Sequence, residues 1–219
     1  MMEVPLKKGR KFWGEPWWDV LHSGAASYTP DHAQDYLLLV QGYKGNIPCK
    51  RCRLHFAQNL INYPIESYLV SAKKLLLWTY IIHDAVNQAH TDESPKLSPS
   101  FSSVVEKYAR GDWDKSWKFV LHSAAVAYVP DHANDYRLLV KSFGGLIPSP
   151  TTRVRFNQAL EKCPVEPYLR NNHDLFFWSY LVGNMMLGIQ PENGASPQYE
   201  SVKRYYFSGL GEECKTCDR

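Results

Sequence analysis

The chain has 219 residues, room for one large domain or two small ones, and 44% of them are hydrophobic, as in an ordinary packed globular protein. Its net charge of +3 is too small to argue for nucleic acid, and the basic residues near the start (Lys7, Lys8, Arg10, Lys11) read as a solvated tail. No run approaches the ~18 apolar residues of a membrane span, and Met1 to Pro5 has no apolar signal core, which predicts an intracellular chain with no signal peptide. There are five cysteines: Cys49, Cys52, Cys163, Cys214 and Cys217. Four of them form two C-x-x-C pairs, unlike the scattered pattern of a disulfide-stapled secreted domain.

In chain order, Val20, Leu21, Ala25 and Tyr28 fall at helix spacing. Pro30-Asp31 predicts a second helix start, with Asp31 capping free backbone N–H groups. Tyr36 to Val40 continue that helix, and Gly42 and Gly45 are expected to end it. A third helix is predicted over Cys49 to Leu60 and a fourth over Leu69 to Asn87. A short fifth runs from Phe101 to Tyr108. Strand alternation is nowhere sustained, so the expected fold is all-α, a four-helix bundle with a short fifth helix.

The pattern occurs twice. Trp17-x-x-Val20-Leu21-His22-Ser23 recurs as Trp117-x-x-Val120-Leu121-His122-Ser123, and Tyr28-x-Pro30-Asp31-His32-Ala33 recurs as Tyr128-x-Pro130-Asp131-His132-Ala133. Ile47-Pro48, Phe56, Leu60 and Trp78-x-Tyr80 repeat at the same offset of 100. Two tandem domains are expected, residues 10–103 and 104–207, followed by a tail over 208–219. The linker is expected at His90 to Ser100.

The second copy keeps packing residues and loses reactive ones. Cys49, Cys52, His83, Asn87 and Trp18 become Ser149, Thr152, Gly183, Leu187 and Lys118. Copy one therefore reads as the holder of a site and copy two as a scaffold. Residues common to both, such as Trp78 and Leu21, are expected in the core. His22 is matched by His122, which leaves a ligand contact and a structural hydrogen bond both open for it.

A cysteine at a helix start faces unpaired N–H groups and the helix dipole, which favour thiolate. Lys50 and Arg51 add positive charge, so the pair suits thiol–disulfide exchange. A zinc site needs four ligands, and Cys214 and Cys217 could supply the other two. Nothing in such a site requires Trp18, His83 and Asn87. A dithiol that passes electrons to a terminal acceptor needs a cofactor. Trp18 and His83 offer flat faces for stacking, and His22 and Asn87 offer hydrogen bonds.

Trp13-Gly14-x-x-x-Trp18-x-x-Leu21-His22, Pro48-Cys49-x-x-Cys52-x-x-His55-Phe56 and Trp78-x(4)-His83-Asp84-x-Val86-Asn87 together resemble the Erv/ALR family of FAD-linked sulfhydryl oxidases, over residues 12–103, with a degenerate echo over 104–207. The resemblance implies FAD in the mouth of a helical bundle, contacted by Gly14, Trp18, His22, His55, Tyr80, His83, Val86, Asn87 and Lys96. It implies that Cys52 passes electrons to the flavin and that Cys49 exchanges with client protein dithiols. Molecular oxygen would take the electrons and become hydrogen peroxide. Cys214 and Cys217 would be a shuttle pair on a mobile arm. Two departures stand out: Asp84 replaces the usual Asn, and Glu15 stands where a basic residue is common. Family members are usually dimers, so copy two is expected to replace the partner, giving a monomeric intrachain pseudo-dimer, with a homodimer as the alternative. A fused degenerate copy also resembles quiescin-type oxidases and some large DNA viruses, which would place the protein in a host cytoplasm or virion. Cys163 is expected to be a buried spectator. No metal, membrane or nucleic-acid partner is expected. The alternatives are a zinc-stabilised helical adaptor and a scaffold without turnover.

Overall fold

A computed structural model describes residues 9–88, 98–189 and 198–210; Lys96, Cys214, Cys217 and most of the expected linker lie outside them. The described residues form ten α-helices and no strand. The first half contributes α1 (Arg10–Ala26), α2 (Ala33–Asn46), α3 (Lys50–Asn62), α4 (Ala72–Gln88) and α5 (Phe101–Ala109). The second repeats the order with α6 (Asp114–Val126), α7 (Ala133–Leu146), α8 (Pro150–Lys162), α9 (Asn172–Met186) and α10 (Tyr199–Leu210). Helix α5 runs across residue 103 and α10 past residue 207, so each repeat extends a few residues beyond the sequence-based bounds. No described helix is long and apolar enough to cross a membrane.

The repeat is visible in single hydrogen bonds. Trp78 Nε1 donates to the Tyr63 carbonyl at 2.8 Å, and Trp178 Nε1 donates to the Cys163 carbonyl at 2.8 Å. Tyr28 and Tyr128 donate to the carbonyls of Leu69 and Leu169, each at 2.7 Å. A buried indole or phenol is costly without a partner, so these bonds let large rings fill the core. Cys163 is half-buried at the end of α8, with Sγ 3.9 Å from the Tyr168 hydroxyl.

Two expectations about helix ends fail. Asp31 makes no capping bond; Pro30–His32 is a 3-10 turn, and α2 starts at Ala33. Gly42 and Gly45 do not end α2, which continues to Asn46. They mark instead where α7 crosses. A Cβ on Gly42 would lie 2.8 Å from the Leu139 backbone nitrogen, and one on Gly45 would collide with Asp135. The converse contact sets Gly145 against Asp35. Next to it, Trp17 Nε1 donates to Ser123 Oγ at 2.9 Å, while Trp117 Nε1 donates to Ser23 Oγ at 3.0 Å. Each half thus presents α1/α2 or α6/α7 to the other in a reciprocal arrangement, the hallmark of a two-fold interface.

The end of the second repeat also touches the start of the first. Gly9, at φ 59, takes a left-handed conformation that suits glycine, and its N–H donates to the Gly209 carbonyl at 2.8 Å. Phe12 packs edge-on to Tyr205 and Phe119 beside this bond.

Candidate functional site

Pro48 cannot continue α2, and the chain turns there into α3. Cys49 takes an extended conformation as the N-cap of α3, and its sulfur accepts the Cys52 N–H at 3.2 Å. That N–H and the exposed start of the helix favour negative charge on the sulfur. Cys49 is only 5% exposed, whereas Cys52, one turn on, is half-buried and faces a cavity.

The cavity spans about 570 Å³ when counted out to its open mouth, solvent space included. Helix α1 supplies Trp13, Gly14, Trp17, Trp18 and Leu21; α3 supplies Cys52, His55 and Phe56; α4 supplies Val86. Tyr43 and Ile47 close it from α2, and Arg10 stands at its edge. The walls are mainly aromatic and aliphatic, with one sulfur among them. That donor set fits a flavin: flat apolar surface for a ring, a thiol on the wall, and a cation for an anionic extension.

Of the expected cofactor contacts, Gly14, Trp18, His55 and Val86 line the cavity with Cys52. Trp18 and His83 stack directly on each other, with ring centroids 3.9 Å apart and planes 6° off parallel. Their facing sides are therefore used, which leaves only the outer faces of the stack for any further ring. His22 is 2% exposed and spends both ring nitrogens inside the protein, Nδ1 on Thr79 Oγ1 at 2.7 Å and Nε2 on His83 Nδ1 at 3.0 Å. The structural side of its open reading is the one the geometry fills. Asn87 Nδ2 donates to Ser98 Oγ at 3.1 Å, and Tyr80 packs on Phe101.

Burial holds His22 well below its usual range, with His83 and Lys107 adding to the effect. His83 is pushed down to about 4 by burial and by Lys107, against a smaller upward pull from Asp84 and Asp19. Both rings are neutral at neutral pH. Asp19 is buried within α1 and accepts from Tyr108 at 2.7 Å, Lys107 at 3.2 Å and Ser116 at 3.2 Å. It ties α5 and α6 to the back of the site, and Tyr108 packs 4.9 Å from His22.

The second repeat closes the same region. Ser149 keeps the cap, accepting the Thr152 N–H at 3.3 Å, but carries no thiol chemistry. Thr152 donates to Asp114, which replaces Gly14. Lys118 stands in the place of Trp18 and reaches Asn184 Oδ1 at 2.8 Å; burial lowers its pKa to about 8.

Sequence reasoning missed Thr79, Asp19, Lys107 and Tyr108. Leu21 and Trp78, read as core because both copies share them, are buried in the core, and Leu21 and the equally shared Phe56 also form cavity wall. The available signal was Asp19, a carboxylate on the apolar face of α1 that becomes Phe119 in copy two. Among the described residues no three His, Cys, Asp or Glu side chains gather as a metal site, and the second cysteine pair needed for the zinc alternative lies outside them.

An all-helical bundle with one sulfur of a C-x-x-C pair in the wall of an aromatic cavity suits two-electron exchange between a dithiol and a bound ring. Residues 15–108 match the sequence model of the Erv1 / Alr family. Over 100 residues the chain is 29% identical to a protein of Acanthamoeba polyphaga mimivirus described as a probable FAD-linked sulfhydryl oxidase, covering 43% of this chain and 69% of that one. No solved structure matches the chain.

Proposed function

We propose that the protein is a FAD-dependent sulfhydryl oxidase that forms disulfides in client proteins. The observation that carries this reading is Cys52 in the wall of the aromatic cavity while its partner Cys49 caps the same helix. A client thiolate attacks the Cys49–Cys52 disulfide at Cys49 and forms a mixed disulfide. The second client thiol resolves it, so the client leaves oxidised and the pair is reduced by two electrons and two protons. With FAD held beside Cys52, the reduced pair would give up two electrons and two protons to it and return to the Cys49–Cys52 disulfide. A bound FAD supplies a two-electron acceptor that molecular oxygen can reoxidise, with hydrogen peroxide as product. Trp18, His55, His83, Val86 and Gly14 would hold the cofactor, with Arg10 supplying positive charge; Tyr80, Asn87 and Lys96, the last outside the described residues, would complete its contacts.

Cys214 and Cys217 would serve as a shuttle that takes electrons from the client dithiol and makes this attack on Cys49 in the client's place. Gly209 supports this role, since its bond to Gly9 roots the tail within one residue of the cavity residue Arg10. The reciprocal contacts of the two halves support a monomer in which the second half, helices α6 to α10, takes the place of a partner subunit.

The test is a visible spectrum and an oxygen electrode. Purified protein is expected to be yellow and to consume oxygen with a dithiol. Cys52→Ser is expected to keep the flavin and lose turnover; a variant that retained the full rate would refute the electron path.

A further inference from the structure

The hydrogen bonds behind Trp18 have a direction. Thr79 is fully buried, and its single hydroxyl proton goes to the Leu76 carbonyl at 2.8 Å. With that proton on the carbonyl, its oxygen is free to accept from His22 Nδ1, 2.7 Å away. His22 is neutral in its buried setting, so its Nε2 carries a lone pair and accepts from His83 Nδ1 at 3.0 Å. Neutral His83 is then left with a lone pair at Nε2.

The second repeat provides an internal comparison. Ser179 donates to the Phe176 carbonyl at 2.8 Å and accepts from His122 Nδ1 at 3.0 Å. His122 is fully buried, and its Nε2 has no partner. Gly183 stands where His83 would be, and a Cβ there would come 2.9 Å from His122 Cε1. The first two links are thus built twice from equivalent positions. Only in the first repeat does a third ring hang on them, and that ring is the one stacked on the cavity residue Trp18.

We propose that Thr79 is a positioning residue. Through His22 it fixes His83 as the Nδ1–H tautomer, so the ring paired with Trp18 offers a ligand a hydrogen-bond acceptor at its remaining nitrogen. The ligand group that suits this edge is an N–H or O–H donor, such as an amine, an amide N–H or a sugar hydroxyl of a ring-bearing cofactor. A carbonyl or phosphate oxygen is disfavoured there. The assignment of the ligand as FAD rests on the function proposed above; the tautomers do not.

Nitrogen-15 NMR of the ligand-free full chain, labelled at histidine, decides the first part. His22, His83 and His122 are all expected as Nδ1–H at pH 7. Thr79→Val keeps the shape and removes the acceptor, so His22 and His83 are expected to switch toward Nε2–H while His122 stays as it was. Thr79→Ser, the hydroxyl found at position 179, is expected to restore the wild-type tautomers. An Nε2–H signal for His83 in the wild type, or unchanged tautomers in Thr79→Val, overturns the proposal. A fluorescence titration with FAD reads the second part. Thr79→Val is expected to bind about five-fold more weakly, the worth of one neutral hydrogen bond, and Thr79→Ser to recover the loss. Switched tautomers with unchanged affinity overturn the acceptor role. A wild type that binds no FAD overturns the cofactor reading and the ligand half with it, while the ligand-free spectra still decide whether Thr79 sets His83.

Discussion

The sulfur of Cys49 accepts the Cys52 N–H at the start of α3, and the hydroxyl of Ser149 does the same for Thr152 at the start of α8. Capping and redox chemistry coincide at position 49 and are separated at 149. Cys49→Ser is therefore expected to keep the stability of the reduced protein within about 0.5 kcal/mol and to lose turnover, whereas Cys49→Ala costs about 1 kcal/mol, the worth of a lost cap. Urea melts under reducing conditions check this. The neutral histidines give a second prediction. His83, His22 and His122 are all held below their usual range, so between about pH 6.5 and His83's value of about 4 the unfolded chain binds protons that the folded chain refuses. Their contribution is complete above about pH 6.5 and is lost as pH falls, by about 1.4 kcal/mol per proton per pH unit. Melts between pH 5 and 6.5, above the carboxylate range, are expected to show falling Tm, and His83→Gln a shallower fall. A flat profile would contradict the burial argument.

At the scale of elements, the sequence made the ten helices and their doubling legible, because 3.6-residue periodicity and an offset of 100 both survive in Val20, Leu21 and Tyr28 and their counterparts. The glycines of α2 were misread because local grammar cannot tell a terminator from a crossing point. Only the position of α7 reveals that Gly42 is a contact residue. Gly42→Ala sharpens the distinction. A glycine in a helix interior costs up to ~1 kcal/mol against alanine, so a simple terminator reading allows stabilisation. The close approach of Leu139 predicts the opposite, a net loss of about 1–2 kcal/mol from overpacking. Thermal denaturation of the variant gives the sign. The site was legible for Cys49, Cys52, Trp18 and His83, whose types are lost together in copy two. Thr79 was not, because Ser179 preserves the hydroxyl and so leaves no contrast between copies.

At the scale of the molecule, the two halves cover each other through α1, α2, α6 and α7. Light scattering is expected to give a monomer near 25.2 kDa; a stable dimer would contradict the intrachain replacement of a partner. The contact through Gly42 carries a further consequence for dissection of the protein. Cut after Ala109, the leading segment would display the rings of Trp17 and Tyr43's helix to water, along with a glycine notch shaped for a crossing helix. Two such segments would be drawn to clasp one another, each filling the other's notch with Leu39, the counterpart of Leu139.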